Sequence, residues 1–444
     1  MHRLLPHAGI KGGGMRMKIA IIGSGLGGLL SGAKLARDGH KVEIFEKLDV
    51  AGGRFINLDY KGYTLSSGAL HMIPHGNNGP LGQMLKALNA DVKIVNSDPT
   101  ATIAVEKDGG LDFISFSNAR QLLSFKSKMK LATLSLRFMF KFPATMSFGE
   151  WTDRYIPDEL FAKTSVAFCG WALSLRPDDV LAGEMKAIIK NINRYGGPGV
   201  PIGGCSAVIN ALVRIIEDNG GVIHIGTGIQ AIETRKEEGG DGRTQTCASG
   251  IRTDAGEVVD ADIVISNIGH PETVKLAGSS MMSDLDGAYM QKVQSSKPSA
   301  GIKICISSNE PLVGHSNILM TPYARRINGM NEVTQIDPTL APAGKHLIVT
   351  HQTILSDEYE KEIKLGLADV DELFKGKDYE ILLIQSHRDN WPVNRAGSGT
   401  DLGNRTPIDG LYVVGDGAKG KGGIEVEGVA LGVMNTMKMI DQLK

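Results

Sequence analysis

Cysteine, tryptophan and unbalanced charge are all scarce in this chain of 444 residues. Its four cysteines, Cys169, Cys205, Cys247 and Cys305, lie far apart and form no CxxC pair. That spacing argues against a disulfide framework or a zinc site, and leaves them as small buried hydrophobes in a reducing compartment. A formal net charge of -1 offers no basic surplus for nucleic acid. No uninterrupted apolar run reaches the roughly 18–20 residues that a transmembrane helix needs. The N-terminal stretch MHRLLPHAGIKGGGMRMKIA also lacks the apolar core of a signal peptide. A cytoplasmic chain is expected. Residues 1–16 read as a disordered leader, or as an upstream start with the first residue at Met15 or Met17.

Glycine, by contrast, is plentiful, with 56 residues, and it concentrates where chemistry would be. Residues 17–47 read as a βαβ unit: an apolar strand at Ile19–Ile22, a helix carrying Leu29, Ala33, Leu35 and Ala36, and a second strand ending at Glu46. Gly23, Gly25 and Gly28 form a GxGxxG between strand and helix, with Ser24, Leu26 and Gly27 filling it. Such a turn lets the backbone approach a pyrophosphate, while the helix N-terminus offers free N–H groups and a partial positive charge. Glu46 closes the second strand, where a carboxylate accepts from ribose hydroxyls and repels a 2′-phosphate. A second glycine run, Gly226 to Ala231, fits GxGxxA, yet it leads into a charged loop rather than a helix. A second dinucleotide site is not expected.

Downstream, the pattern gives a helix over Ala207–Asn219 and strands at Gly221–Ile225 and Ala261–Ser266. Residues 300–388 read mainly as strands, including Gly301–Ile306, Leu347–Gln352 and Glu380–Gln385, interrupted by a helix at Asp357–Phe374. The last 40 residues give a strand at Leu411–Val414, a glycine-rich turn and a helix to the end.

Glu46 is followed by Lys47 and then Gly52-Gly53-Arg54, and this trio resembles the flavin amine oxidase and phytoene desaturase superfamily. The C-terminal GLYVVGDGAKGKGGIEVEGVALGV resembles that superfamily's second flavin signature, although it departs from the commoner Gly-Ala-x-x-Ser-Gly pattern. RYGGPGVPIGGCSAVINALVRIIEDNGGVIHIGTGIQAIE and HRDNWPVNRAGSGTDLGNRTPIDGLYVVGD resemble its phytoene desaturase branch. The resemblance implies an α/β fold: a Rossmann-type FAD-binding domain, three-layered with a mostly parallel sheet, interleaved with a mixed α+β substrate domain. The FAD domain is expected over 17–85, 196–275 and 385–444, and the substrate domain over 86–195 and 276–384. By the same resemblance Arg54 clamps the pyrophosphate and Asp416, after Gly415, accepts from the ribityl hydroxyls. Ile229 reads the adenine through its backbone, and Gly68, Ala69 and Leu70 line the flavin ring. Glu425 and Val426 begin the helix aimed at the flavin. No cysteine lies in the C-terminal flavin turn, so the FAD is expected to be non-covalent.

No metal cluster and no catalytic residue emerges. His71 and His75 fall near the expected flavin face, as proton handlers or simply as hydrogen-bonded pocket histidines. Trp391-Pro392 is placed near the cavity mouth, Trp151 and Trp171 in the core. A helix is expected at Arg120–Phe142, with Lys126, Lys130, Arg137 and Lys141 on one stripe beside Phe125, Met129, Leu136 and Phe140. It reads as a domain helix with a solvated side, or as a peripheral membrane contact. The leading expectation is hydride transfer between FAD and a C–C bond of an apolar, isoprenoid or carotenoid-like substrate, with direction and electron acceptor open. A flavin amine oxidase is the alternative enzyme, although sparse aromatics, at 5%, argue mildly against the aromatic cage that its chemistry wants. A non-catalytic prenyl-binding protein of the GDP dissociation inhibitor type is the alternative from another class.

Overall fold

The computed structural model describes residues 16–107, 110–115, 118, 121, 123–129, 145–238, 244–283 and 287–443. Five parallel strands form its first sheet, in the order Leu411–Val413, Ile263–Ser266, Lys18–Ile22, Lys41–Glu46 and Val222–Ile225. The central strands are continuous apolar runs because both faces are covered. Ile19, Ile21, Val42, Ile44, Ile263 and Ile265 point to one side. There they meet the helices Leu26–Arg37, Cys205–Asp218 and Glu425–Asp441. Ala20, Ile22, Phe45 and Val264 point to the other, against Ile232, Ala248 and Ile251. Those three belong to an antiparallel layer of strands Ile229–Glu238, Thr244–Thr253 and Val258–Asp260. Helices, parallel sheet and antiparallel sheet thus make three layers. Connections run outward both ways from Lys18–Ile22, so a crevice opens at the C-terminal end of that strand.

A seven-stranded sheet makes up the second body, in the order Tyr379–His387, Gly301–Ser308, His346–Thr353, Ile327–Glu332, Ile318–Met320, Ala101–Lys107 and Gly110–Ser115. Alternation sorts its two faces. Ile302, Ile304, Ile306 and Ile348 pack on Val370 of helix Tyr359–Leu373, together with Phe374 just beyond it. Cys305, Leu347 and Val349 face Tyr63, Leu65 and Val200. Beside it, Trp151 and Trp171 are buried among the helices Phe148–Tyr155, Glu159–Leu173 and Ala182–Tyr195, as core residues. Cys169, Cys205 and Cys305 are buried and Cys247 half-buried, all as free thiols.

The structure corrects one sequence reading. Beyond Gly226, residues Ile229–Glu238 form a ten-residue strand rather than a charged loop. Pairing with Thr244–Thr253 satisfies its backbone, and Glu233 pairs with Arg252 at 2.7 Å, so its charges sit comfortably at the sheet surface. It is still no helix, so this glycine run lacks the dipole that a phosphate site uses. Most of the basic helix candidate, including Lys130, Arg137 and Lys141, lies outside the described residues, as do residues 1–15. Residues 125–129 are helical, with Phe125 and Met129 exposed. No helix among the described residues is long and apolar enough to cross a membrane.

Helix Pro80–Ala87 starts without a side-chain cap of its own, since Gly79 holds the N-cap position. Glu427, from the first turn of the last helix, serves instead. Its Oε2 accepts from Leu81 N at 2.8 Å and its Oε1 from His75 N at 3.1 Å. Burial pushes this carboxyl up to about 7, against the pull of those two N–H donors. Between the ordinary 4.5 and about 7 the folded chain therefore keeps a proton that the unfolded chain has lost. Its contribution is fully present below about pH 4.5 and falls as pH rises through 7. A shift of that size is worth on the order of 3 kcal/mol.

Two predictions follow from these packing constraints. Urea unfolding at about pH 5 and about pH 8 should show wild-type stability falling across this range, and Glu427→Gln should flatten that fall by on the order of 3 kcal/mol. Parallel pH profiles would show that Glu427 ionises normally. A methyl group at Gly28 would run into the Gly23 carbonyl oxygen, whereas one at Gly287 meets nothing. Gly28→Ala should cost about 1–3 kcal/mol in the same assay and Gly287→Ala less than about 1 kcal/mol. Equal stabilities would contradict the tight turn.

Candidate functional site

At the end of the first strand Gly23 takes φ +89, and the chain enters helix Leu26–Arg37 through Gly25. That helix has no side-chain cap and no acidic residue in its first turn, so its leading N–H groups and dipole face the crevice uncompensated. Three glycine segments converge here. Gly25 bridges to Gly52, whose N–H donates to the Ser24 carbonyl at 2.9 Å. A Cβ on Gly27 would lie 2.8 Å from Gly415 N and 2.7 Å from Asn267 Oδ1, and one on Gly25 would lie 2.6 Å from Asn267 Nδ2. Gly52, Gly53 and Gly415 take φ of +111, +58 and +94, where side chains are strained. Leu26 anchors the helix start in the core. A cradle made of backbone, with an open helix N-terminus, fits the pyrophosphate of a dinucleotide. Asn267, the hub of this convergence, was missed in the sequence; its only signal is its place just after strand Ile263–Ser266.

Glu46 lies at the cradle's edge and holds it in shape. Its Oε2 accepts from Ser24 N and Ser24 Oγ, both at 2.8 Å, and its Oε1 from Leu48 N at 3.0 Å. The turn before Ile229 rests on the same segment, with Gly226 N donating to Leu48 O and Thr227 N to Glu46 O at 2.7 Å. Lys47 is exposed. Arg54 and Asp416, expected at different parts of the cofactor, are bonded to one another. Arg54 Nη2 lies 2.5 Å from Asp416 Oδ2, and its Nη1 donates to the carbonyls of Pro392 and Val393. Burial alone would raise the Asp416 carboxyl, but Arg54 and Arg395 outweigh it and hold the group below the usual carboxylate range. Gly68 passes under Arg54, where a Cβ would lie 2.6 Å from the Arg54 carbonyl oxygen. Ala69 is buried and Leu70 half-buried.

The last helix begins at Glu425, as expected, with Val426 packed on the main core. Glu425 takes φ +44, a strained conformation for a non-glycine residue. Its carboxyl accepts from Asn394 Nδ2 at 3.2 Å, and Asn394 Oδ1 in turn accepts from Lys419 Nζ at 3.2 Å. Burial pushes that carboxyl up, against the influence of Lys419 and Asn394. The glutamate is thus tied to Asn394 and its negative charge is weakened.

A second group of polar residues was only partly foreseen. Lys303, fully buried on the seven-stranded sheet, donates through Nζ to the Ser66 carbonyl, to Ser66 Oγ at 3.0 Å and to the Gly68 carbonyl at 2.5 Å. Burial lowers its pKa. His71, His351 and His387 are buried as well, and both ring nitrogens of His71 and His387 lack a partner, as does Nδ1 of His351. Burial, helped by the Lys303 charge, drives His71 and His351 down to about 3 and His387 to about 2. Arg54 contributes to the shift of His387, which links this cluster to the cradle. His75 instead pairs through Nδ1 with the Gly196 carbonyl at 3.0 Å. Sequence reasoning overlooked Lys303 because a lysine in an apolar strand looks like a surface position. No group of side chains suited to a metal ion occurs among the described residues.

Comparison with known proteins places this geometry. An uncharacterised protein of Methanocaldococcus jannaschii is 44% identical over 431 residues, covering 96% of this chain and 100% of that one. The crystal structure of an oxidoreductase from Methanosarcina mazei superposes with a TM-score of 0.89 at 51% identity, covering 95% of this chain and 100% of its own. The phytoene desaturase (neurosporene-forming) of Cereibacter sphaeroides is 24% identical over 56% of this chain and 52% of that protein. The chloroplastic prolycopene isomerase of Daucus carota is 25% identical over 89% and 75%. A putrescine oxidase shares the fold, with a TM-score of 0.73 at 15% identity, covering 97% of this chain and 100% of that one. The family model of flavin-containing amine oxidoreductases matches residues 26–431, and the chain belongs to that family of flavin-dependent oxidoreductases.

Proposed function

We propose that the chain binds FAD non-covalently in the glycine cradle and uses it to exchange a hydride with a carbon–carbon bond of a largely apolar, isoprenoid-like substrate. One observation carries the cofactor reading: Gly23–Gly28, Gly52–Gly53 and Gly415 meet backbone to backbone at an uncapped helix N-terminus. Glu46 is suited to ribose hydroxyls, and Arg54, beside the cradle, to pyrophosphate charge. Asp416, held ionised by Arg54 and Arg395, is suited to accept from the ribityl hydroxyls. The flavin, when bound, supplies hydride acceptance or donation; the protein supplies orientation, polarity and exclusion of water. Lys303 fixes the loop Ser66–Gly68, from which the chain runs on to His71.

The desaturases and the isomerase among the relatives favour a C–C bond over a C–N bond. Amine oxidation is the second reading, supported by the shared fold of the putrescine oxidase. Lys303 argues against it. Its hydrogen-bond acceptors are neutral oxygens of Ser66 and Gly68, so an ammonium ion brought beside it would meet an uncompensated like charge in a low-dielectric setting.

Purified protein should be yellow, and acid extraction followed by chromatography should release one FAD per chain; NAD, or no nucleotide, would overturn the assignment. Glu46→Ala should weaken FAD retention about tenfold or more, since charge-assisted hydrogen bonds are worth roughly 1.5–3 kcal/mol each. Glu43→Ala should leave it unchanged, because Glu43 pairs with Lys41 and His224. Equal flavin content in the two variants would mean that Glu46 is not a ribose ligand.

A further inference from the structure

We propose that His71, Lys303, His351 and His387 receive an anionic oxygen group of the substrate, so that the substrate is an amphiphile carrying a carboxylate rather than a pure hydrocarbon. This rests on the flavin reading above and names the substrate class for it.

The sheet brings Lys303, His351 and His387 together. The register Ile302↔Gln352 and Cys305↔Val349 sets Lys303 opposite His351 on neighbouring strands. Gly301 pairs with His387 on the other side. Lys303, Gly301, His351 and His387 therefore share one face of the sheet. Gly301 makes room there: a Cβ at that position would lie 2.9 Å from His351 Nε2. The same nitrogen bonds to Ser174 Oγ at 2.7 Å, and the Trp171 ring meets the imidazole edge-on, so the ring of His351 is fixed. His71 enters from the loop whose carbonyls hold Lys303.

Two features of this cluster point to an anion. Lys303 spends its bonds on neutral oxygens, and no hydrogen bond or ion pair joins it to a carboxylate among the described residues. Asp337, the one carboxylate that bears on His71, is engaged by Gly203 N and Thr339. Five imidazole nitrogens on three histidines are buried without partners. Each unpaired buried polar group costs about 1–3 kcal/mol, and a hydrocarbon chain would leave that cost in place. A carboxylate would take up N–H donors from neutral imidazoles on both oxygens and lie within the field of the Lys303 ammonium. An ammonium group would meet repulsion instead.

The test uses flavin-loaded protein and three probes of equal chain length: decanoate, decan-1-ol and decylamine. Binding is read from the perturbed flavin absorbance and from the rise in Tm. Decanoate should bind at least about tenfold more tightly than decan-1-ol, as charge-assisted hydrogen bonds imply, and decylamine should not bind. In Lys303→Met that retains flavin, and independently in His387→Phe, the preference for decanoate over decan-1-ol should disappear. Equal binding of decanoate and decan-1-ol, a preference for decylamine, or an unchanged preference in both variants would overturn the inference. Colourless protein would overturn the flavin reading and this inference with it. Yellow protein indifferent to the carboxylate would overturn this inference alone.

Discussion

The rest of this structure depends on the close approach of Gly27 to Gly415 across Asn267. There is no room at that point for a side chain on either glycine. The first helix can come this near the last strand only because the backbones touch directly, and Asn267 fills the angle between them with its amide, donating toward the Gly23 carbonyl. Around this contact the charged residues arrange themselves. Glu46 ties down Ser24 on one side, while Arg54 and Asp416 join the Gly52–Gly53 loop to the end of the chain on the other. Each of these ties holds a loop in place beside the crevice.

Much of the architecture is legible in the sequence, because period and punctuation are local properties. The runs at Ile19–Ile22 and Ala261–Ser266 are mostly apolar and read as covered strands; Gly23, Gly25 and Gly28 mark the turn between strand and helix. Glu425 as the start of the final helix was legible through the resemblance of the C-terminal turn to a flavin signature. What stayed hidden depends on contacts distant in sequence. That Arg54 and Asp416 would bond to one another cannot be read from either segment. Nor does anything near Glu427 announce that it caps a helix more than 300 residues upstream in the chain, joined by a bond spanning 346 positions to Leu81. The strand Ile229–Glu238 was misjudged for a related reason: its charges looked like those of a loop until its antiparallel partner supplied the pairing.

Lys303 shows how a single residue can be misleading in sequence and decisive in space. Flanked by Ile302 and Ile304, it occupies the side of the strand opposite those residues, so an apolar pattern carries one cation inward without breaking. Its Nζ is then satisfied by two carbonyls and a hydroxyl, which holds the loop Ser66–Gly68 but leaves the charge unbalanced. Burial depresses three nearby imidazoles together, the Lys303 charge adds to the shift, and this part of the molecule gains a polarity that composition alone would not suggest.

The edge position of Leu411–Val413 has a consequence for biosynthesis. This strand pairs with Ile263–Ser266, and the glycine after it closes the cradle against the first helix. A nascent chain emerging from the ribosome will therefore have made its first βαβ unit long before the wall opposite that unit exists. Closure of the cradle must wait until residues 411–415 have been made, and the growing chain passes through an open-sided state whose lifetime is set by how fast that strand docks.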